Sequence, residues 1–230
     1  AHIEGGEISG TVDEMIRHSI SKVAHTHFVT NVIAKKRLIQ MGEKKENIFV
    51  IGSPDVDLIL SKNLPSKKIL MKRYSINYEN YAIVILHPVT TENEEIQKKN
   101  AKIFFNTIKK SKFNYIVLYP NNDRGSKIII NQIKKLNKSN FKVMPSMRVE
   151  YYLSLLKHSK FILGNSSSGI MEAPYYGIPT IDVGSRQNKR LKSSNVIDVD
   201  YDQKKIFKGI KYALYNKKFK KKLSRVKNPY

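Results

Sequence analysis

The stretch Tyr81-Ala82-Ile83-Val84-Ile85-Leu86-His87-Pro88-Val89-Thr90-Thr91 decides the fold. Its unbroken apolar run leaves no polar side, so a strand made from it is covered on both faces, as strands of parallel sheets are. His87-Pro88 stops the run, and a helical pattern follows over about residues 93–110. The same unit recurs downstream. Residues 115–119 precede a helix at 125–137, residues 141–144 one at 149–157, and residues 161–163 one at 168–176. Strand-like residues 180–183 and a short strand near Val196 come before a terminal helix. Strands alternating with helices imply an α/β fold with a parallel sheet between two helical layers.

Upstream, Val12, Ile16, Ile20, Val23 and Ala24, then Ala34, Leu38 and Met41, recur at helical intervals, with a short strand at Phe28-Val29 between the two helices. Residues 48–51 read as another strand, ended by Gly52-Ser53-Pro54. The polar, lysine-rich residues 60–79, with Pro65, are the natural place for a domain connection. No internal repeat is present.

Composition narrows the function. The 230 residues carry 42 Lys+Arg against 19 Asp+Glu, a formal charge of +23, and no cysteine. Disulfides, thiolate metal sites and a cysteine nucleophile are excluded. No apolar run approaches the roughly 18 residues of a membrane span, and the opening Ala1-His2-Ile3-Glu4-Gly5-Gly6-Glu7 is unlike a signal peptide. The expectation is a soluble, cytoplasmic protein with no membrane partner. The opening also reads as the middle of a longer polypeptide. The lysines are spread along the chain; the one dense block, Lys217 to Lys227, reads as a solvated terminal helix. Tyr212, Tyr215 and Phe219 interleave with it but bring no RNA- or DNA-binding signature, so no nucleic-acid partner is expected.

In doubly wound sheets ligands sit beyond the carboxyl ends of the strands. The loops there are His87-Pro88-Val89-Thr90-Thr91, Pro120-Asn121-Asn122-Asp123, Pro145-Ser146-Met147, Gly164-Asn165-Ser166-Ser167-Ser168-Gly169 and Gly184-Ser185-Arg186-Gln187, all polar or glycine-bearing. Asn165 to Gly169 opens a helix and offers free N–H groups to a diphosphate, or is an ordinary serine cap. Glu172, one turn into that helix, suits ribose hydroxyls or merely complements the helix dipole. Arg186 carries the planar fork that matches phosphate. His87, at a strand end, can donate to phosphate or shuttle a proton. No histidine pattern has metal-ligand spacing, and no metal is expected. At the front, Glu4 and Asp13 flank a turn that can fold both carboxylates toward one cavity, where one can act as base and the other as acid. The alternative is that Asp13 and Glu14 only decorate a helix start.

The ordered blocks Ala1 to Glu7, Thr11-Val12-Asp13-Glu14, Ile16-Arg17-His18, Leu86 to Thr91, Tyr119-Pro120-Asn121, Gly164 to Ser167 and Gly184 to Gln187 resemble the hydrolysing UDP-N-acetylglucosamine 2-epimerases over residues 1 to about 200. The resemblance implies a glycosyltransferase-B-like architecture of two Rossmann-like domains. Residues 1–60 then match the back of the N-terminal domain, which is incomplete here, and residues 61–230 the C-terminal, UDP-binding domain. It implies elimination of UDP through a 2-acetamidoglucal, then hydration to N-acetylmannosamine for nonulosonic (sialic or legionaminic) acid synthesis, without a cofactor. The complete enzyme would be a homo-oligomer, and this chain by itself inactive. Residue by residue, Glu4, Asp13 and His87 match catalytic positions. His87, Asn121, Ser146, Met147, Ser166, Ser167, Glu172 and Arg186 match positions that hold UDP. The non-hydrolysing branch follows its leading Glu with Ala-Gly-Leu-Arg, whereas Glu4 is followed by Gly5-Gly6-Glu7. A non-catalytic nucleotide-sugar binder is the remaining alternative. The sugar is either N-acetylglucosamine or a 2,4-diacetamido-trideoxy sugar.

Overall fold

The computed structural model describes residues 1–9, 12–61 and 63–230. In chain order its front part contains β1 (His2–Ile3), α1 (Val12–Val23), β2 (His27–Val29), α2 (Val32–Gln40), β3 (Ile48–Val50) and α3 (Asp55–Ile59). The rear part follows with α4 (Lys67–Tyr74), β4 (Ala82–Ile85), α5 (Glu94–Lys110), β5 (Tyr115–Leu118), α6 (Ser126–Ile133), β6 (Phe141–Met144) and α7 (Val149–Lys157). It ends with β7 (Ile162–Gly164), α8 (Ser168–Met171), β8 (Thr180–Val183), β9 (Val196–Val199), α9 (Gln203–Tyr215) and α10 (Lys217–Leu223).

Two parallel sheets result, one ordered β1-β2-β3 and one ordered β6-β5-β4-β7-β8-β9. The larger has the doubly wound order, growing outward in both directions from β4 and β7. Its central strands β4 and β5 are apolar and buried on both faces because successive side chains enter different cores. Ala82 and Val84 of β4 join Phe104, Phe105 and Ile108 of α5 and Ile206 and Ile210 of α9 on one face. Ile83 and Ile85 join Leu70 of α4 and Leu155 and Leu156 of α7 on the other.

The outline read from periodicity holds, with local differences. Within the stretch read as a connection, α4 is capped by Ser66, whose Oγ accepts the Ile69 N–H at 3.4 Å, and it buries Leu70 completely. The helix expected over residues 168–176 is a single α-turn, α8, followed by a 3-10 turn at Ala173–Tyr176. Pro174 has no N–H to continue the α pattern, and Gly177, at φ 62°, ends the segment. The lysine-rich block is helical in α10 but turns Phe219 and Leu223 inward.

One backbone approach fixes how β7 meets β4. Gly164 has φ 141°, and a Cβ there would stand 1.9 Å from the Ile85 carbonyl oxygen. Only glycine fits. Gly164→Ala is therefore expected to cost about 3 kcal/mol or more through combined backbone strain and clash. Urea unfolding would record the loss as a lower midpoint, and an unchanged midpoint would show that the strand pair can separate without penalty.

Candidate active-site cleft

Across the larger sheet the loops beyond the strand ends run Ser146, Asn121, His87, Ser166, Arg186. The order in which strands are added to the sheet reverses between the parallel neighbours β4 and β7, which opens the crevice where ligands of such sheets lie. Asn165 fills the base of that crevice, fully buried. Its Oδ1 accepts the His87 N–H at 2.7 Å and its Nδ2 donates to the His87 carbonyl at 2.9 Å. Its own carbonyl accepts Gln187 Nε2 at 2.9 Å and Arg186 Nη1 at 3.2 Å. The Tyr201 hydroxyl stands beside its side chain. One residue thus ties together the loops after β4, β7 and β8. The sequence reading quoted Asn165 inside a motif without giving it a role; its signal was an amide directly after a glycine-ended strand.

The His87 ring stands over this knot, half-buried. The Asn121 backbone N–H donates to Nδ1 at 3.1 Å, which leaves the hydrogen of the neutral ring on Nε2. Asn121 Oδ1 lies 3.1 Å from the same nitrogen and is placed to accept from it if the ring gains a proton. The Asn121 amide is oriented in turn by donating to Asp123 Oδ2 at 2.5 Å. Burial, helped by the Arg186 charge, pushes the His87 pKa down to about 4, although Asn121 and Asp123 pull the other way. Arg186 is itself lowered by burial while Asp13 and Asp123 support its charge, and its buried Nε has no partner among the described residues. A guanidinium stays charged under these conditions.

The loop after β7 offers less dipole than its sequence suggested, because α8 is one turn long. Ser166 Oγ accepts the Ser168 N–H at 3.3 Å, and the Ser167 carbonyl accepts the N–H groups of Ile170 and Met171 at 2.8 and 2.9 Å. Glu172 sits at the junction of α8 with the 3-10 turn rather than inside a longer helix. Burial pushes its carboxyl up to about 7, and its Oε2 has no partner among the described residues. Ser146 is exposed beyond β6, while Met147 packs against the apolar cluster of α4 and α7.

The front acids lie opposite. Glu4 follows β1 with φ 60°, a left-handed conformation costly for a side chain bearing a Cβ, and its Oε1 accepts Ser53 Oγ–H at 2.7 Å. Glu7, unassigned from sequence, is buried and accepts Thr30 Oγ1 at 2.5 Å and Asn31 Nδ2 at 2.9 Å. Arg17 is the centre of the group. Its Nη1 donates to the Glu7 carbonyl at 3.1 Å, and Asp13, Glu7 and Glu4 all support its charge while Arg190 opposes it from the rear part. Asp13 also acts on Arg186, and Glu14 Oε1 lies 3.6 Å from Lys189 Nζ. The acidic segment and the basic loop after β8 therefore face one another.

Two parallel α/β units with ligand-facing loops between them define a glycosyltransferase-B-like fold. The chain belongs to the UDP-N-acetylglucosamine 2-epimerase family, whose model matches residues 1–230. It is 50% identical over 218 residues to a UDP-N-acetylglucosamine 2-epimerase of Neisseria meningitidis, covering 95% of this chain and 58% of that protein. It is 38% identical over 225 residues to a hydrolyzing UDP-N,N'-diacetylbacillosamine 2-epimerase of Legionella pneumophila, again covering 95% and 58%. The chain thus spans under two thirds of these relatives. Among solved structures it is similar in fold to a Methanocaldococcus jannaschii UDP-GlcNAc 2-epimerase in complex with UDP-GlcNAc and UDP. That likeness has a TM-score of 0.79 at 23% identity, over 100% of this chain and 64% of the other.

The depressed His87 pKa has a measurable consequence. The unfolded chain takes up the imidazole proton near 6.5 and the folded one only near 4, so stability falls as pH drops through that window. Denaturation between pH 8 and 5 is expected to show the decline, and His87→Gln to flatten it. An identical slope in the variant would mean that His87 titrates normally.

Proposed function

We propose that this chain carries the nucleotide-holding and acid–base groups of a hydrolysing UDP-N-acetylglucosamine 2-epimerase. The observation that carries the reading is the opposition across one cleft: Glu4, Asp13 and Glu14 on the front part, Arg186, Lys189 and the His87–Asn165 knot on the rear. Removal of a weakly acidic sugar C2–H needs a carboxylate base, and departure of UDP from C1 needs positive charge or hydrogen-bond donors at the diphosphate. Glu4 and Asp13 supply the first requirement. Arg186, the Nε2–H of His87 and the groups of Ser166 and Ser167 supply the second.

In this reading the uridine end lies toward Asn121, Ser146 and Met147, and the ribose hydroxyls take the unpaired Oε2 of Glu172. Elimination leaves a 2-acetamidoglucal. Water then adds across the double bond with the opposite configuration at C2, releasing N-acetylmannosamine, and the two carboxylates exchange base and acid roles between the steps. The relative at 50% identity bears the N-acetylglucosamine name, and the hydrolysing outcome is supported by the Gly5-Gly6-Glu7 sequence and by the Legionella relative's name. The Legionella relative's substrate, a diacetylbacillosamine nucleotide, is the second reading for the sugar.

Incubation of the intact protein with each nucleotide sugar, followed by NMR, tests this. Free N-acetylmannosamine with UDP supports the proposal; an intact epimerised nucleotide sugar transfers it to the non-hydrolysing branch. Glu4→Gln and Asp13→Asn are each expected to lower turnover by roughly 10² or more with UDP affinity retained. A variant with near-normal turnover would remove that carboxylate from the chemistry.

A further inference from the structure

The loop between β8 and β9, residues 184–195, carries Arg186, Gln187, Lys189 and Arg190 to the cleft and contains no helix or strand of its own. Such a segment samples many conformations unless something pins it. Its far end is pinned by Asn195, fully buried, whose Nδ2 reaches the carbonyls of Gly169 at 3.2 Å and Ile178 at 3.1 Å. Its middle is pinned by charge. Asp182 of β8 and Asp198 of β9 are register partners in the sheet, and Lys192 Nζ lies between them, 2.9 Å from Asp182 Oδ2 and 2.5 Å from Asp198 Oδ1. Asp182 is 1% exposed and Asp198 61%.

A carboxylate buried in the middle of a sheet is costly, and the core gains nothing from it that Val or Leu would not supply. Burial pushes Asp182 up to about 6 against the pull of Lys192, while the two aspartates push Lys192 up. The groups facing Asp182 are Lys192, Asp198, Arg186 and the Tyr201 hydroxyl. Arg186 is the significant member of that set. It is the cleft cation and lies within the electrostatic reach of Asp182, so Asp182 without its lysine has Arg186 as a cation to recruit.

We propose that Lys192, clamped between Asp182 and Asp198, is a positioning residue that holds the 184–195 loop in shape and keeps Arg186 available to a nucleotide diphosphate. The inference rests on the functional reading given above, in which Arg186 meets the diphosphate. It adds that the buried aspartate is neutralised by a dedicated lysine in the same loop, so that loop shape and diphosphate affinity are coupled.

The test compares two ligands by titration calorimetry on the intact protein. Uridine lacks the diphosphate and UDP has it. Lys192→Met is expected to weaken UDP by about tenfold, the scale of one charge-assisted contact, and to leave uridine within about twofold. A merely structural lesion would lower both equally, and that result overturns the proposal. In an Arg186→Ala background Lys192→Met is expected to add no further loss of UDP affinity; a full additional tenfold loss would show that the lysine acts independently of Arg186. Asp198→Asn alters an exposed partner and keeps the protein folded if Lys192→Met does not. It is expected to weaken UDP about threefold, again sparing uridine, and unchanged UDP affinity sinks the clamp. Failure of the functional reading looks different: the unaltered protein would then bind neither ligand.

Discussion

Asn165 makes more of this cleft than any charged residue does. A fully buried amide must satisfy its donor and acceptor, and here both are spent on the backbone of His87 while its own carbonyl is spent on Arg186 and Gln187. The arrangement is possible because Gly164 lets β7 pass against the Ile85 carbonyl, a contact that any side chain would block. Strand pairing, loop shape and ring position are therefore one problem with one solution. A shift of β7 by a single residue would remove the amide from the crevice and release three loops together.

The electrostatics follow from that geometry. Arg186 is held at the crevice by a carbonyl rather than a carboxylate, so its charge is not cancelled at the point where it is fixed. Burial, with the same charge, keeps the adjacent imidazole neutral, its hydrogen on Nε2. On the front part, Arg17 gathers Asp13, Glu7 and Glu4 into one group, and the unfavourable backbone of Glu4 is retained immediately after β1. Strain of this kind persists where surrounding structure over-determines it, as it does around ligand sites. The two sides of the cleft thus meet with acidic groups facing basic ones.

The excess of basic residues contributes little to this arrangement. Helices α5 and α10 carry lysines in their last turns, where they complement the helix dipole, and α10 keeps its apolar Phe219 and Leu223 inside. The cations that shape the cleft are Arg17, Arg186 and Lys192, held respectively by the Glu7 carbonyl, the Asn165 carbonyl and Asp182.

Local reading recovered a great deal. The two-faced burial of residues 81–86, and its recurrence at 115–119 and 161–163, specifies a parallel α/β sheet, because hydrophobic periodicity is a local property of the chain. The polar loops after the strands, with His87, Asn121, Ser166 and Arg186, were legible for the same reason. The one-turn length of α8 was not, since it depends on how Pro174 and Gly177 terminate a segment packed between β7 and β8. Nor were Asn165 as a knot, Arg17 as the meeting point of three acids, or Lys192 between two aspartates six and ten residues away. Residue types and their order say which elements form. Which buried polar atoms find one another is settled by strand register and sheet order, through contacts such as that of Asn165 with His87, 78 positions apart in the chain.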